Sequence, residues 1–303
     1  MEYALRTDGI TKIYGKHAVV DHVNMHVKRG DIYGFIGKNG AGKTTFMRVV
    51  AGLAAPASGT MELFGCTDLE KQRQRLGTLI EQPGLYGTMT ARENMEVVRK
   101  SYGITDKQAV DEMLEFVGLS QSGKKKVKNF SLGMKQRLGI AIALFRNPDF
   151  LILDEPINGL DPEGIKEMRE LLSKLNEERQ ITILISSHIL GELSKIATQY
   201  GIIKEGVLIE EFQAEELKNR CRRCVKLVVD DTERAAAVLQ DTCHIVNFDV
   251  PETGILRVFD GLNHSWEINR ELIQAGICLK ESYLTGQDLE GYFMDLLGGA
   301  SNA

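Results

Sequence analysis

A chain of 303 residues with 43% hydrophobic and 26% charged side chains has the composition of a globular protein and length for about two domains. Its formal charge of −5, from 37 basic and 42 acidic side chains, argues against a broad electrostatic footprint for nucleic acid, so no nucleic-acid partner is expected. The longest apolar run, Leu138 to Phe145, falls well short of the roughly 20 residues that cross a bilayer, so membrane spans are not expected in this chain.

The opening, MEYALRTDGITKIYG, has neither an apolar leader core nor an Arg-rich transit pattern, which predicts a cytoplasmic location. It alternates apolar and polar residues, as does AVVDHVNMHVKRG after it, and the pair predicts a small antiparallel subdomain. The runs DIYGFIG, GTLIE, DFLILDE and ITILISS then read as strands, with helices beginning at Lys43, Leu132 and Pro162. Near-continuous apolar strands separated by helices are buried on both faces, so the core is expected to be an α/β layer with a mostly parallel sheet. This first domain is expected over 1–212.

From 213 to 303 the pattern changes. CVKLVVD, HIVNFDV, ILRVFD and ICLKESY read as strands, while ERAAAVLQ, EINRELIQAG and LEGYFMDLLGG read as helices. The βαββαβα order predicts a small accessory α+β domain of the split βαβ type. The preceding EEFQAEELKNRCRR reads as a charged helical stretch. The five cysteines are scattered, unlike a disulfide framework, and reduced thiols are expected. Cys221 and Cys224 lie beside the strand VKLVVD, where residues i and i+3 point to opposite faces, and no second pair completes a metal site.

The chemistry concentrates in the first domain. Gly37-Lys38-Asn39-Gly40-Ala41-Gly42-Lys43-Thr44 fits G-x-x-x-x-G-K-[ST] directly after a strand and before a helix, the context that a phosphate-binding loop requires. Glycines let backbone N–H groups turn inward around phosphate oxygens, the helix N-terminus adds positive potential, Lys43 reaches the β- and γ-phosphates, and the Thr44 hydroxyl suits Mg²⁺. The strand FLIL delivers Asp154 at its C-terminal edge, where it can hold the magnesium shell, and Glu155 next to it, where it can polarise an attacking water. Between the two lies Phe130-Ser131-Leu132-Gly133-Met134-Lys135-Gln136-Arg137, with a serine hydroxyl and a glycine N–H at a helix N-terminus.

In this order the motifs resemble the ATP-binding subunit of an ATP-binding cassette (ABC) transporter, where the middle motif usually reads Leu-Ser-Gly-Gly-Gln. The resemblance is specific over the first domain and weak over the second. It implies a P-loop ABC ATPase fold with an added helical subdomain, binding of ATP and Mg²⁺ from Gly37 to Thr45, and Glu155 as general base. It also implies that Ser131 and Gly133 serve the nucleotide of a partner protomer in a homodimer or pseudo-dimer. Tyr14 falls where the family stacks an aromatic on adenine, and His188, after ILISS, resembles the histidine that contacts the γ-phosphate. Asp161, in Asn158-Gly159-Leu160-Asp161, is implied as the anchor of the loop that meets the partner's site. The run Lys124-Lys125-Lys126-Val127-Lys128 reads as a solvated face.

One departure stands at LIEQPGLYGTMTARENM. The family commonly has a glutamine at this strand end, reaching metal and water; aligning Pro83, Leu85 and Tyr86 puts Glu81 there as a metal ligand, with Gln82 one residue late as the alternative. A glutamate here, together with SLGMKQR and the chain length, resembles the bacitracin- and lantibiotic-resistance subfamily. That implies separate transmembrane permease subunits, a place on the inner face of the membrane, and expulsion of a peptide antibiotic. Two other readings remain at this point: a cassette driving a soluble machine on ribosomes or DNA, and an ATP-sensing regulator without hydrolysis.

Overall fold

The computed structural model describes residues 3–221, 223–286 and 289–296. The chain divides into two compact units, Met1–Ala214 and Glu215–Ala303. In the first, β1 (Tyr3–Tyr14), β2 (His17–Val23), β3 (His26–Lys28), β4 (Ile32–Ile36), α1 (Lys43–Val50) and β5 (Ser58–Leu63) come in succession. After them run α2 (Leu69–Arg73), β6 (Leu76–Leu79), α3 (Ala91–Ser101), α4 (Gln108–Phe116), α5 (Leu132–Leu144), β7 (Phe150–Leu153) and α6 (Pro162–Arg179). The unit closes with β8 (Thr182–Ser187), α7 (Leu190–Leu193), β9 (Gln199–Lys204) and β10 (Val207–Gln213).

β4, β7 and β8 are buried at every position, the signature of strands covered on both faces. They form the centre of a six-stranded sheet ordered β10-β9-β4-β8-β7-β6, parallel except for the β9–β10 hairpin. The antiparallel front forms a separate sheet in which β1 pairs with β2, β3 and β5. Between the two sheets lies a core that joins Leu5, Val20 and Leu63 of the antiparallel layer to Phe46 and Val50 of α1 and to Phe35 and Ile152 of the central layer. The starts of α5 and α6, expected from the sequence, are set by their caps. Ser131 Oγ accepts from Met134 N at 3.2 Å before α5, Asp161 Oδ1 accepts from Gly164 N at 3.2 Å before α6, and Pro162 takes the first helical turn, where it loses no bond. Thr90 and Glu93 close a capping box on α3.

Two readings of local structure in this unit need correction. Residues 210–213 are not helical: they end β10, where Phe212 pairs with Tyr200, and cross-strand pairing overrides the helix propensity of two glutamates. The strand before Glu81 stops at Leu79, because Glu81 takes a left-handed φ of 66° and Pro83 follows without an N–H.

The second unit contains α8 (Ala214–Arg220), which starts at the boundary, then β11 (Cys224–Val229), α9 (Thr232–Asp241), β12 (Phe248–Glu252), β13 (Ile255–Val258), α10 (Ser265–Gln274), β14 (Leu279–Thr285) and α11 (Leu289–Leu296). Its antiparallel sheet is ordered β12-β13-β11-β14, with Val225, Leu227 and Val258 packed against Leu239 of α9 and Leu272 of α10. The residues from 297 on, where the last helix was expected to end, lie outside the described residues. Cys221 precedes β11 rather than lying on it, Cys66, Cys243 and Cys278 are free thiols, and no group of three or more metal-ligating side chains occurs among the described residues. No helix among the described residues is long and apolar enough to cross a membrane.

Candidate functional site

Four neighbouring parallel strands, β4, β8, β7 and β6, end on one edge of the central sheet, and each delivers part of the set expected from the sequence. The carboxyl edge of such a sheet is where α/β folds gather their ligand sites. Beyond β4 the loop at Gly37 turns tightly into α1. A Cβ at Gly37 would stand 2.5 Å from the Ile203 carbonyl oxygen, and one at Gly42, with φ 106°, would stand 2.5 Å from that of Val19. Only glycine permits those approaches, and Gly40 adds a second positive φ of 83°. Ala41 N donates to the Lys38 carbonyl at 3.0 Å, and the Lys43 ammonium donates to the carbonyls of Gly37 at 2.6 Å and Lys38 at 3.3 Å. The loop thus folds over its own lysine. The hollow beside it, about 180 Å³, is lined by Asn39, Gly40, Gly42 and Lys43 to Thr45, with Val19 and Glu155 facing them.

Beyond β7, Asp154 is 6% exposed. Its Oδ2 accepts from the Thr44 hydroxyl at 2.7 Å and its Oδ1 from the Ser186 hydroxyl at 2.6 Å. Among the described residues these hydroxyls are its side-chain partners, and no cationic side chain pairs with it. A buried carboxylate beside a hydroxyl and without a countercharge is a hard-oxygen pair that suits Mg²⁺, which keeps most of its water and takes only one or two protein carboxylates. Glu155 follows in a left-handed conformation, φ 49°, which its backbone N–H stabilises by donating to Ser186 Oγ at 2.9 Å. Its Oε2 lies 2.7 Å from His188 Nδ1, just past β8. Its Oε1 lies 3.4 Å from the Lys43 ammonium, an ion-pair distance, yet this buried oxygen accepts no hydrogen bond among the described residues. Ser186, fully buried, therefore joins the Asp154 carboxylate to the backbone of Glu155. Sequence reading missed it, because a serine inside ILISSH carries no motif and acquires its partners only through the register that sets Leu153 beside Ile185.

Beyond β6, Glu81 and Gln82 are both exposed, and Glu81 Oε1 pairs with the Arg48 guanidinium of α1 at 2.6 Å. Tyr14, at the end of β1, is 49% exposed with the Lys12 ammonium 5.0 Å from its ring centroid. Ser131 and Asp161 cap their helices, and Gly133 lies in the first turn of α5, where a Cβ would meet Leu160 at 3.7 Å. Tyr14, Glu81, Ser131, Gly133, Asp154, Asp161 and His188 are not among the residues that line the hollow of this one protomer. In the lysine run, Lys124, Lys125 and Lys128 are exposed and Lys126 pairs with Glu93 at 3.1 Å.

Comparison with known proteins follows the same outline. The ABC transporter family model matches residues 20–158. The chain is 45% identical to the bacitracin transport ATP-binding protein BcrA of Bacillus licheniformis over 99% of both chains. It is also 43% identical to the lantibiotic transport ATP-binding protein SrtF of Streptococcus pyogenes over 71% of this chain and 93% of that one. Among solved structures, a dimeric ATP-binding cassette in a post-hydrolysis state with ADP and Pi superposes with a TM-score of 0.62 at 25% identity, over 69% of this chain and 98% of that one. A phosphate loop, a buried Mg²⁺-type carboxylate and a full-length relative at this identity place the chain in one family: it belongs to the ATP-binding subunits of ABC transporters, and it is an ATPase.

Proposed function

We propose that this chain hydrolyses ATP to drive a membrane transporter that moves a peptide antibiotic of the bacitracin or lantibiotic type away from its target. The reading rests on identity to a bacitracin transport subunit that runs through both units rather than through the cassette alone. The first unit acts as the ATP-binding domain and the second as an accessory domain. With the spans supplied by separate permease subunits, the protein works on the cytoplasmic face of the membrane as a homodimer or pseudo-dimer. Ser131 and Gly133 then attend the partner's nucleotide, Asp161 anchors the adjoining loop, and Tyr14 stacks on adenine.

The chemistry follows from the residues at the sheet edge. The N–H groups from Gly40 to Thr45 and the positive end of α1 hold the phosphates, and Lys43 exchanges its bonds to the Gly37 and Lys38 carbonyls for phosphate oxygens. Thr44, Asp154 and Glu81 are the residues that would hold Mg²⁺, which when bound offsets charge on the β- and γ-phosphates. Glu155 Oε1, buried and without a hydrogen bond, takes the proton of the attacking water as the new O–Pγ bond forms and the bond to the bridging oxygen breaks, giving ADP and phosphate. His188, 2.7 Å from Oε2, fixes the orientation of that carboxylate and meets the γ-phosphate. Positioning and charge stabilisation carry most of such a reaction.

The test is a Glu155→Gln variant purified with its membrane partners from its own cells. It should bind ATP with parental affinity, lose hydrolysis by at least about 100-fold, as loss of a general base does, and co-purify with a multi-span membrane protein. Cells carrying it should lose resistance to a bacitracin- or lantibiotic-type peptide. Parental hydrolysis would refute the role of Glu155, whereas ribosomal or DNA-bound partners without a membrane protein would refute the transport reading.

A further inference from the structure

Three carboxylates stand along the active edge, and two of them have basic partners: Glu155 has Lys43, and Glu81 has Arg48. Arg48 lies four residues after Thr44 on α1, hence on the same helix face and about 6 Å further along the axis. Thr44 uses that face to reach Asp154, and Arg48 uses it to reach Glu81 at 2.6 Å. The backbone of Glu81 is held in place on both sides. Before it, Asp154 N donates to the Leu79 carbonyl at 2.8 Å; after it, Pro83 packs so closely on α5 that a Cβ at Gly139 would stand 2.8 Å from it. The left-handed φ of 66° at Glu81 then aims its side chain back toward α1.

We propose that Arg48 is a positioning residue of the ATPase, which acts through Glu81: its guanidinium neutralises and holds a carboxylate that would otherwise stand unpaired beside the triphosphate. The inference rests on the reading that Glu81 belongs to the nucleotide site. An amide at this position would need no such partner, whereas an acid brings one more negative charge toward a ligand that carries several. Arg is suited to the task because it stays charged at all working pH values and its planar fork fixes a carboxylate. The pair is half-exposed, with side chains 39% and 56% accessible, so its contribution to folding is small and its effect is expected in binding and catalysis.

The experiment is a double-mutant cycle in the full-length chain, read first as ATP affinity in EDTA by a fluorescent analogue and then as kcat and KM with Mg²⁺. Arg48→Gln should weaken metal-free ATP binding about 5- to 10-fold in the parent but less than about 2-fold in a Glu81→Gln background, a coupling of roughly 1 kcal/mol. The difference should shrink between 0.05 M and 0.5 M salt as the screening length falls below about 10 Å. Arg48→Lys, which keeps the charge, should recover most of the affinity, and the Tm of all variants should stay near the parent's. Equal losses in both backgrounds would overturn the proposal, since Arg48 would then act on the nucleotide directly; so would losses indifferent to salt or accompanied by a lowered Tm. The underlying reading is tested separately by Glu81→Ala. If its kcat stayed parental, Glu81 would have no part in catalysis and Arg48 would lose its catalytic role even with the pair intact.

Discussion

Replacing Ser186 by Ala removes one oxygen and breaks two bonds at once. Its hydroxyl donates to Asp154 Oδ1 at 2.6 Å and accepts from Glu155 N at 2.9 Å, at a position with no solvent exposure. A hydrogen bond to a charged group is worth about 1.5–3 kcal/mol, a neutral one about 1, and a buried N–H left without a partner adds a desolvation cost of similar size. Some of this is recovered by relaxation, so a loss of about 3 kcal/mol is expected. For a unit of this size that lowers Tm by roughly 6–12 °C. The effect on hydrolysis should exceed the effect on binding, because among the described residues Lys43 bonds to the Gly37 and Lys38 carbonyls and not to Ser186, while the left-handed Glu155 depends on Ser186 for its backbone bond. We expect kcat to fall about 10-fold or more, with KM for ATP within about 3-fold of the parent, as for a residue that positions a general base. Calorimetry of the full chain and steady-state phosphate release read the two effects. A variant with parental Tm and parental kcat would refute the claim that this hydroxyl holds the Asp154 carboxylate and the Glu155 backbone in place.

Gly42→Ala should abolish ATP binding while leaving the circular dichroism of the fold nearly intact, because a Cβ there meets the Val19 carbonyl at 2.5 Å with φ at 106° and the loop must move; parental affinity in a titration would contradict this. Asp161→Ala should cost about 1 kcal/mol through the lost cap of α6, whereas Asp161→Asn, which keeps an accepting oxygen, should restore Tm; if neither changes Tm, the cap is immaterial. Burial raises the Tyr200 phenol to about 12 and, with the nearby Glu211 carboxylate, also raises that of Tyr33. A phenol whose folded pKa lies above its unfolded value of about 10 stabilises the fold fully below pH 10, and this stabilisation is lost as the pH rises toward 12. Denaturant midpoints should therefore fall between pH 10 and 12, and less steeply in Tyr200→Phe; a flat profile would contradict the burial argument.

The parts of the site that could be read from the sequence are those whose neighbours in the chain are also neighbours in space. The loop from Gly37 to Thr44 carries its strand, turn and helix in one stretch, and the starts of α5 and α6 are marked by Ser131 and by Asp161 with Pro162, side chains that act within three residues of themselves. What could not be read depends on strand order. β4 lies between β8 and β9, both distant in sequence, and β5 joins a sheet whose other strands begin the chain. The β9–β10 hairpin went unread because its glutamates obscure the alternation, although Glu211 receives the Tyr33 hydroxyl at 2.8 Å and so has a place in the fold. In the second unit β12 begins at Phe248, not at His244, since Phe248 is the first residue to find a partner, Val258 of β13.

The same spatial order explains how one functional group, the carboxylate, takes three different states along one sheet edge. Asp154, Glu155 and Glu81 are all carboxylates at the ends of adjacent strands, yet Asp154 faces hydroxyls, Glu155 stands between a lysine and a histidine with one oxygen unbonded, and Glu81 is held by an arginine. Carboxylates in one cleft are given separate roles by surroundings that stabilise their charge unequally. The unpaired charge of Asp154 suits a cation, the unbonded oxygen of Glu155 suits a proton acceptor, and the neutralised Glu81 suits a position that must approach phosphate without repelling it. Exchanging Glu81 and Arg48 by the double substitution Glu81→Arg and Arg48→Glu preserves the pair but reverses which side chain the strand end presents. It should keep Tm near the parent's without restoring hydrolysis, and recovery of hydrolysis would mean that the ion pair matters but its direction does not.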